Sequence, residues 1–164
     1  MVVGLDTEWM SIYVEKEKRN KTAILQLCVE EKCLIFQLNH MDYIPIALHN
    51  FMTHPEFKLV GVGVQLDTKM LENDHWLMCN KGIDVATLAK KHWPGRFSSS
   101  PGLQLLAKEL ANLDMKKPKD VRMSKWESKE LTKVQVEYAC IDAFASYKIG
   151  KKLLIDEGLA STLP

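Results

Sequence analysis

Val2-Val3-Gly4-Leu5-Asp6-Thr7-Glu8-Trp9 is the stretch on which the reading of this chain turns. Its composition and placement predict a strand that starts almost at the terminus. Side chains on a strand alternate between faces, so Asp6 and Glu8, two residues apart, project from the same one. Val3, Leu5 and Trp9 around them give a core-strand context. Two carboxylates side by side on a buried strand repel each other and resist leaving water. A divalent cation is the most economical compensation. An edge strand whose Asp and Glu face water accounts for the pair as well, and the pair alone leaves both readings open.

Outward from this strand the pattern alternates between β and α. Thr22 to Val29 and Cys33 to Leu38 read as strands, and the polar Glu30-Glu31-Lys32 between them makes a hairpin. Ile44 to Thr53 has helical spacing. Leu59-Val60-Gly61-Val62-Gly63-Val64 is wholly apolar, as in a strand covered on both faces, and Leu66 to Leu71 then reads as a helix. Asp84 to Lys91 is a short helix candidate. Phe97 to Gly102 reads as a loop leading into Leu103 to Leu113, where Leu103, Leu106, Leu110 and Leu113 share one stripe. Met115 to Trp126 reads as a long basic loop. The last helix has the clearest start: Thr132-Lys133-Val134-Gln135 is a capping box, with Leu131 and Val136 placed as a hydrophobic staple. There is no internal repeat. The expectation is one α/β domain over residues 1–164, with antiparallel pairing at the start and helices dominating the second half.

Two further places can carry chemistry. Asp67 follows the apolar run, at the end of a strand and the start of a helix, where α/β folds often place ligands. A helix-start carboxylate favoured by the macrodipole explains it equally. Tyr138 and Asp142 are four apart on a helix and share a face. Ala139, Cys140, Ala143 and Ala145 around them are small and let this helix pack closely on a sheet. An aspartate in so apolar a segment is costly without a partner. A core tyrosine beside a solvent-facing aspartate is the alternative.

Taken together, three segments carry a resemblance. Val2 to Trp9 resembles the first motif of the DEDD 3′–5′ exonucleases. Val60-Gly61-Val62-Gly63-Val64-Gln65-Leu66-Asp67-Thr68-Lys69-Met70-Leu71 resembles their second, and Ser124 to Ala143 resembles the third with its lead-in. Order and spacing match, and the likeness covers nearly the whole chain. Within the family it is similar to the exonuclease domain of the Werner syndrome protein and to small stand-alone relatives in plants. Tyr138 four residues before Asp142, with Glu137 where a sister branch has histidine, resembles the DEDDy branch.

The resemblance implies an RNase H-like (DnaQ-like exonuclease) fold, a mixed five-stranded sheet flanked by helices. It also implies the catalytic set Asp6, Glu8, Asp67, Tyr138 and Asp142, acting on a DNA or RNA 3′ end to release nucleoside 5′-monophosphates. Two divalent ions ~4 Å apart would bracket the scissile phosphate. By resemblance Asp6, Glu8 and Asp142 hold one ion, Asp6 bridges to the second, and Asp67 supports that second ion through water. Tyr138 would orient the attacking water, because a phenol with pKa near ~10 is a poor proton acceptor at neutral pH. Magnesium suits such an oxygen-only site and manganese can substitute.

Other residues read more plainly. Trp126 reads as packing, and Trp9 reads equally as a cleft wall or as packing. Lys116, Lys117, Lys119, Arg122 and Lys125 can contact phosphates or form a solvated basic loop. Leu66 stands where the family pattern leads one to expect a small residue, often glycine, and the larger side chain would tighten the approach to the second metal and slow turnover without abolishing it. The chain starts only five residues before Asp6, which leaves room for a missing upstream part.

Composition bounds the answer without choosing it. Among 164 residues, 46% are hydrophobic and 26% charged, enough for a core without disulfides or a structural metal. A net charge of +1, from 22 basic and 21 acidic residues, excludes a strongly basic nucleic-acid coat. No apolar run reaches the ~18 residues of a membrane span. The four cysteines, Cys28, Cys33, Cys79 and Cys140, lack C-x-x-C spacing and read as reduced core thiols of an intracellular protein, nuclear or cytoplasmic. The five histidines lack ligand spacing. A G-x-S-x-G elbow and a dinucleotide loop are both missing, which argues against an unrelated α/β hydrolase or dehydrogenase. The main rival is a non-catalytic exonuclease-fold module that binds nucleic acid or a protein partner.

Overall fold

The computed structural model describes residues 1–9, 21–97 and 99–162. Five strands form one sheet: β1 (Val2–Glu8), β2 (Ile24–Val29), β3 (Lys32–Gln37), β4 (Lys58–Gly61) and β5 (Ile83–Asp84). Their order is β3-β2-β1-β4-β5. β1, β2 and β3 pair antiparallel, while β4 and β5 join parallel to the other side of β1. The acidic strand is therefore the centre of the sheet. Among the described residues six α-helices accompany it: α1 (Ile46–Met52), α2 (Val64–His75), α3 (Val85–His92), α4 (Leu103–Ala111), α5 (Lys119–Arg122) and α6 (Lys133–Lys151).

The period-two pattern of β1 separates two cores. Val3 and Leu5 pack with Leu48 and Met52 of α1 and Val64 and Leu71 of α2. On the opposite face α6 lies directly against β1. A Cβ on Gly4 would stand 2.6 Å from the Tyr147 backbone nitrogen and closer still to the Ala143 carbonyl. Only glycine admits that approach, and it brings Asp142 to the face that carries Asp6 and Glu8. A further cluster seals the end of this layer with Ile24, Trp126, Tyr138 and Ala139.

Several predicted boundaries move. The apolar run Leu59–Val64 is not one strand: β4 ends at Gly61, Gly63 takes a left-handed φ of +70°, and Val64 already belongs to α2. Periodicity cannot divide six apolar residues between a buried strand and a buried helix start. Asp84 closes β5 and caps α3, accepting from the backbone nitrogens of Ala86 and Thr87. That two-residue strand carries no pattern of its own, and only its pairing with β4 reveals it. The basic loop contains the one-turn helix α5. α4 stops at Ala111, with Asn112 left-handed at its end. The hairpin turns on Glu30-Glu31, Glu30 having φ of +55°. The capping box at Thr132 forms as read, but Val136 is exposed and Leu131 packs toward the Trp126–Tyr138 cluster. All four cysteines are free; Cys28 is buried and the other three half-buried. No helix among the described residues is long and apolar enough to cross a membrane.

Candidate active site

At the carboxyl end of β1, strand and helix deliver acids to one point. Asp6 and Glu8 come from alternate positions of β1, and Asp142 comes from α6, held close by Gly4. One carboxylate oxygen from each lies within 4.8 Å of the others. The cluster opens into a cavity of about 440 Å³ whose lining also includes Asp67, Tyr138, Lys117 and Arg122. All five residues of the predicted catalytic set therefore meet in one cavity.

Asp67 is held differently. It sits in the first turn of α2 and accepts a 2.5 Å hydrogen bond from the Thr7 hydroxyl. Thr7 lies between Asp6 and Glu8, so its side chain leaves β1 on the other face, toward α2. That alternation alone signals that Thr7 cannot join the Asp6–Glu8 pair. Its bond to Asp67 needed the fold.

Burial and mutual repulsion dominate the electrostatics. Desolvation first, and then the charges of Asp142, Glu8 and Asp67, hold the Asp6 carboxyl well above the usual carboxylate range. Desolvation and the Asp142 charge push Glu8 up to about 8. Desolvation lifts Asp67 to about 6, opposed by the Thr7 hydrogen bond. Asp142 is raised by desolvation against the pull of Lys117. The Tyr138 phenol is raised above its ordinary value by desolvation and by Asp142, which keeps it protonated. Its hydroxyl is buried and has no hydrogen-bond partner among the described residues, and neither has Asp142 Oδ1.

The cation facing these acids comes from the basic segment. Lys117 Nζ lies 2.5 Å from Asp142 Oδ2 and 5.7 Å from the Tyr138 ring centroid. Arg122 also lines the cavity. Lys116, Lys119 and Lys125 are exposed and outside it. Of the five basic residues read as phosphate contacts or as a solvated loop, the fold thus brings two to the site and leaves three in solvent. Trp126 is wholly buried, donates to the Arg122 carbonyl at 3.0 Å and lies 5.9 Å from the Tyr138 ring, as packing requires. Trp9 and Leu66 line the cavity, Leu66 being 58% exposed.

Buried carboxylates with raised proton affinity, with one ammonium among them and one oxygen unpartnered among the described residues, form an oxygen donor set that fits a hard divalent ion. A mixed five-stranded sheet with this cluster at the end of its central strand defines the RNase H-like exonuclease class. The chain belongs to the 3′–5′ exonuclease family, whose model matches residues 1–155. It is 32% identical over 153 residues to the bifunctional 3′–5′ exonuclease/ATP-dependent helicase WRN of Mus musculus, covering 93% of this chain and 11% of that protein. It is 30% identical over 152 residues to a 3′–5′ exonuclease of Arabidopsis thaliana, covering 92% and 52%. The structure of Escherichia coli RNase D superposes with a TM-score of 0.77 at 21% identity, over 99% of this chain and 41% of that one. The chain thus spans about half the length, or less, of these relatives.

Proposed function

We propose that this chain is a divalent-metal-dependent 3′–5′ exonuclease that hydrolyses the terminal phosphodiester of DNA or RNA and releases nucleoside 5′-monophosphates. The observation that carries the reading is the meeting of Asp6, Glu8 and Asp142, from two different elements, within 4.8 Å in a cavity open to solvent. Asp6, Glu8 and Asp142 would hold one magnesium ion, and Asp6 and Asp67 would serve a second. Manganese would substitute. When bound, such ions lower the pKa of water and stabilise both the attacking and the leaving oxygen.

The chain's own groups supply the rest. The protonated Tyr138 hydroxyl, with no partner among the described residues, orients the attacking water by a hydrogen bond. Lys117, paired with Asp142, and Arg122 on the cavity lining bind the non-bridging oxygens of the incoming phosphate. Trp9 and Leu66 on the cavity wall give the terminal base an apolar surface. The Lys117–Asp142 pair favours a second reading, in which the built-in ammonium occupies the site and the module binds without cleaving.

The test uses 3′- and 5′-labelled single-stranded DNA and RNA, incubated with magnesium, with manganese and with chelator. The expected result is a ladder shortening from the 3′ end, abolished by chelator and by Asp6→Ala. Intact substrate under every condition, with a folded protein that binds manganese, would sink the enzymatic reading and leave the binding module.

A further inference from the structure

Gln26 is a fully buried side chain of β2, and neither its amide nitrogen nor its amide oxygen has a hydrogen-bond partner among the described residues. Buried amides are paired in the great majority of folded proteins, because an unmade bond leaves the whole desolvation cost standing. A glutamine kept at such a position therefore needs a partner in the working state.

The register names the candidate. Gln26 stands directly opposite Asp6 in the antiparallel β1–β2 pair, with Ile35 of β3 on its other side. Opposite residues of an antiparallel pair share a face with their Cβ atoms about 5 Å apart, so two more carbons bring the amide within reach of the carboxylate. Around this position the layer is otherwise apolar: Ile24, Ile35 and Ala139 belong to its core. Of the other polar groups on this face, Glu8 stands opposite Ile24, a diagonal and more distant position, and the Tyr138 hydroxyl and Asp142 come from α6 across the layer. Leu5 and Thr7, flanking Asp6, point to the opposite face.

We propose that Gln26 is a positioning residue for the metal-binding carboxylates, its side-chain NH2 donating to Asp6 and fixing that carboxylate for a divalent ion. The proposal rests on the metal-dependent reading above. Asp6 is the ligand that reading shares between ions, so its orientation governs both. Carboxylates that ligate metals are themselves held by hydrogen bonds, and losing such a partner weakens metal binding about 10-fold or more.

Gln26→Met and Gln26→Leu remove the donor and nearly keep the volume. Calorimetric titration with manganese is compared with the unaltered protein, beside thermal melting in chelator and 3′-end degradation at varied manganese. The expected result is a melting temperature in chelator unchanged or raised, because an unpaired buried amide has gone. Manganese affinity falls about 10-fold, and the degradation rate is recovered at high manganese with KM for the nucleic acid unchanged. Folded variants whose manganese affinity stays within about twofold overturn the proposal and leave the amide to a buried water. Failure of both variants to fold also overturns it, since the amide would then be needed by the metal-free fold. If the unaltered protein itself binds no manganese, the metal-dependent reading fails, a result separable from either outcome for Gln26.

Discussion

Replacing Glu8 by glutamine is expected to stabilise the metal-free protein at alkaline pH while abolishing hydrolysis. The folded protein holds the Glu8 carboxyl at about 8, against an ordinary 4.5, because burial and the Asp142 charge oppose its ionisation. The folded state therefore keeps a proton that the unfolded chain gives up, and stability falls as pH rises from 4.5 through 8. At ~1.4 kcal/mol per pKa unit the loss is near zero at pH 4, roughly 2 kcal/mol at pH 6 and roughly 5 kcal/mol at pH 8.5. The last figure is a ceiling, because a proton lost from Glu8 is partly regained by Asp6 and Asp142 beside it. Glutamine carries no charge to desolvate and so recovers this loss. Urea denaturation in chelator at the three pH values reads it directly, and a gain of a few kcal/mol raises Tm by roughly 10 °C. Saturating manganese should reverse the order, since only the unaltered site gains the full stabilisation of binding. A Glu8→Gln protein less stable than its parent at pH 8.5 in chelator, or more stable by the same amount at pH 4, would refute the reasoning.

Three more substitutions probe other parts of the site. Tyr138→Phe removes a hydroxyl that has no partner among the described residues, so the melting temperature should hold while single-turnover hydrolysis slows by ~10²-fold; an unchanged rate removes the phenol from catalysis. Lys117→Met takes the ammonium from Asp142, so the metal-free protein should lose roughly 1–3 kcal/mol at pH 8.5 while manganese binds more tightly, both read by melting and calorimetry. Weaker manganese binding in that variant would mean that Lys117 organises the acids rather than competing for them. Gly4→Ala places a Cβ 2.6 Å from the Tyr147 nitrogen, so α6 must shift; a loss of roughly 1–3 kcal/mol together with a fall in activity is expected, and full activity would show that the position of Asp142 tolerates the shift.

What the sequence determined by itself is what short-range periodicity can carry. A period of two placed Asp6 and Glu8 on one face of β1, and a period of 3.6 placed Tyr138 and Asp142 on one face of α6. The Thr132–Gln135 capping box marked the start of that helix to the residue. The three motifs in order gave the family before any coordinates. The tertiary structure alone decided which distant segments meet those faces. Thr7 bonds Asp67 across 60 residues of chain, Gln26 stands opposite Asp6, and β5 exists only through its pairing with β4. Lys117, one of five similar cations in a segment without regular periodicity, enters the carboxylate cluster while Lys116 beside it faces solvent. Register between strands and the path of an irregular segment follow from how the two cores close. That closure depends on contacts far apart in the chain, such as Gly4 against Ala143, which no local pattern encodes.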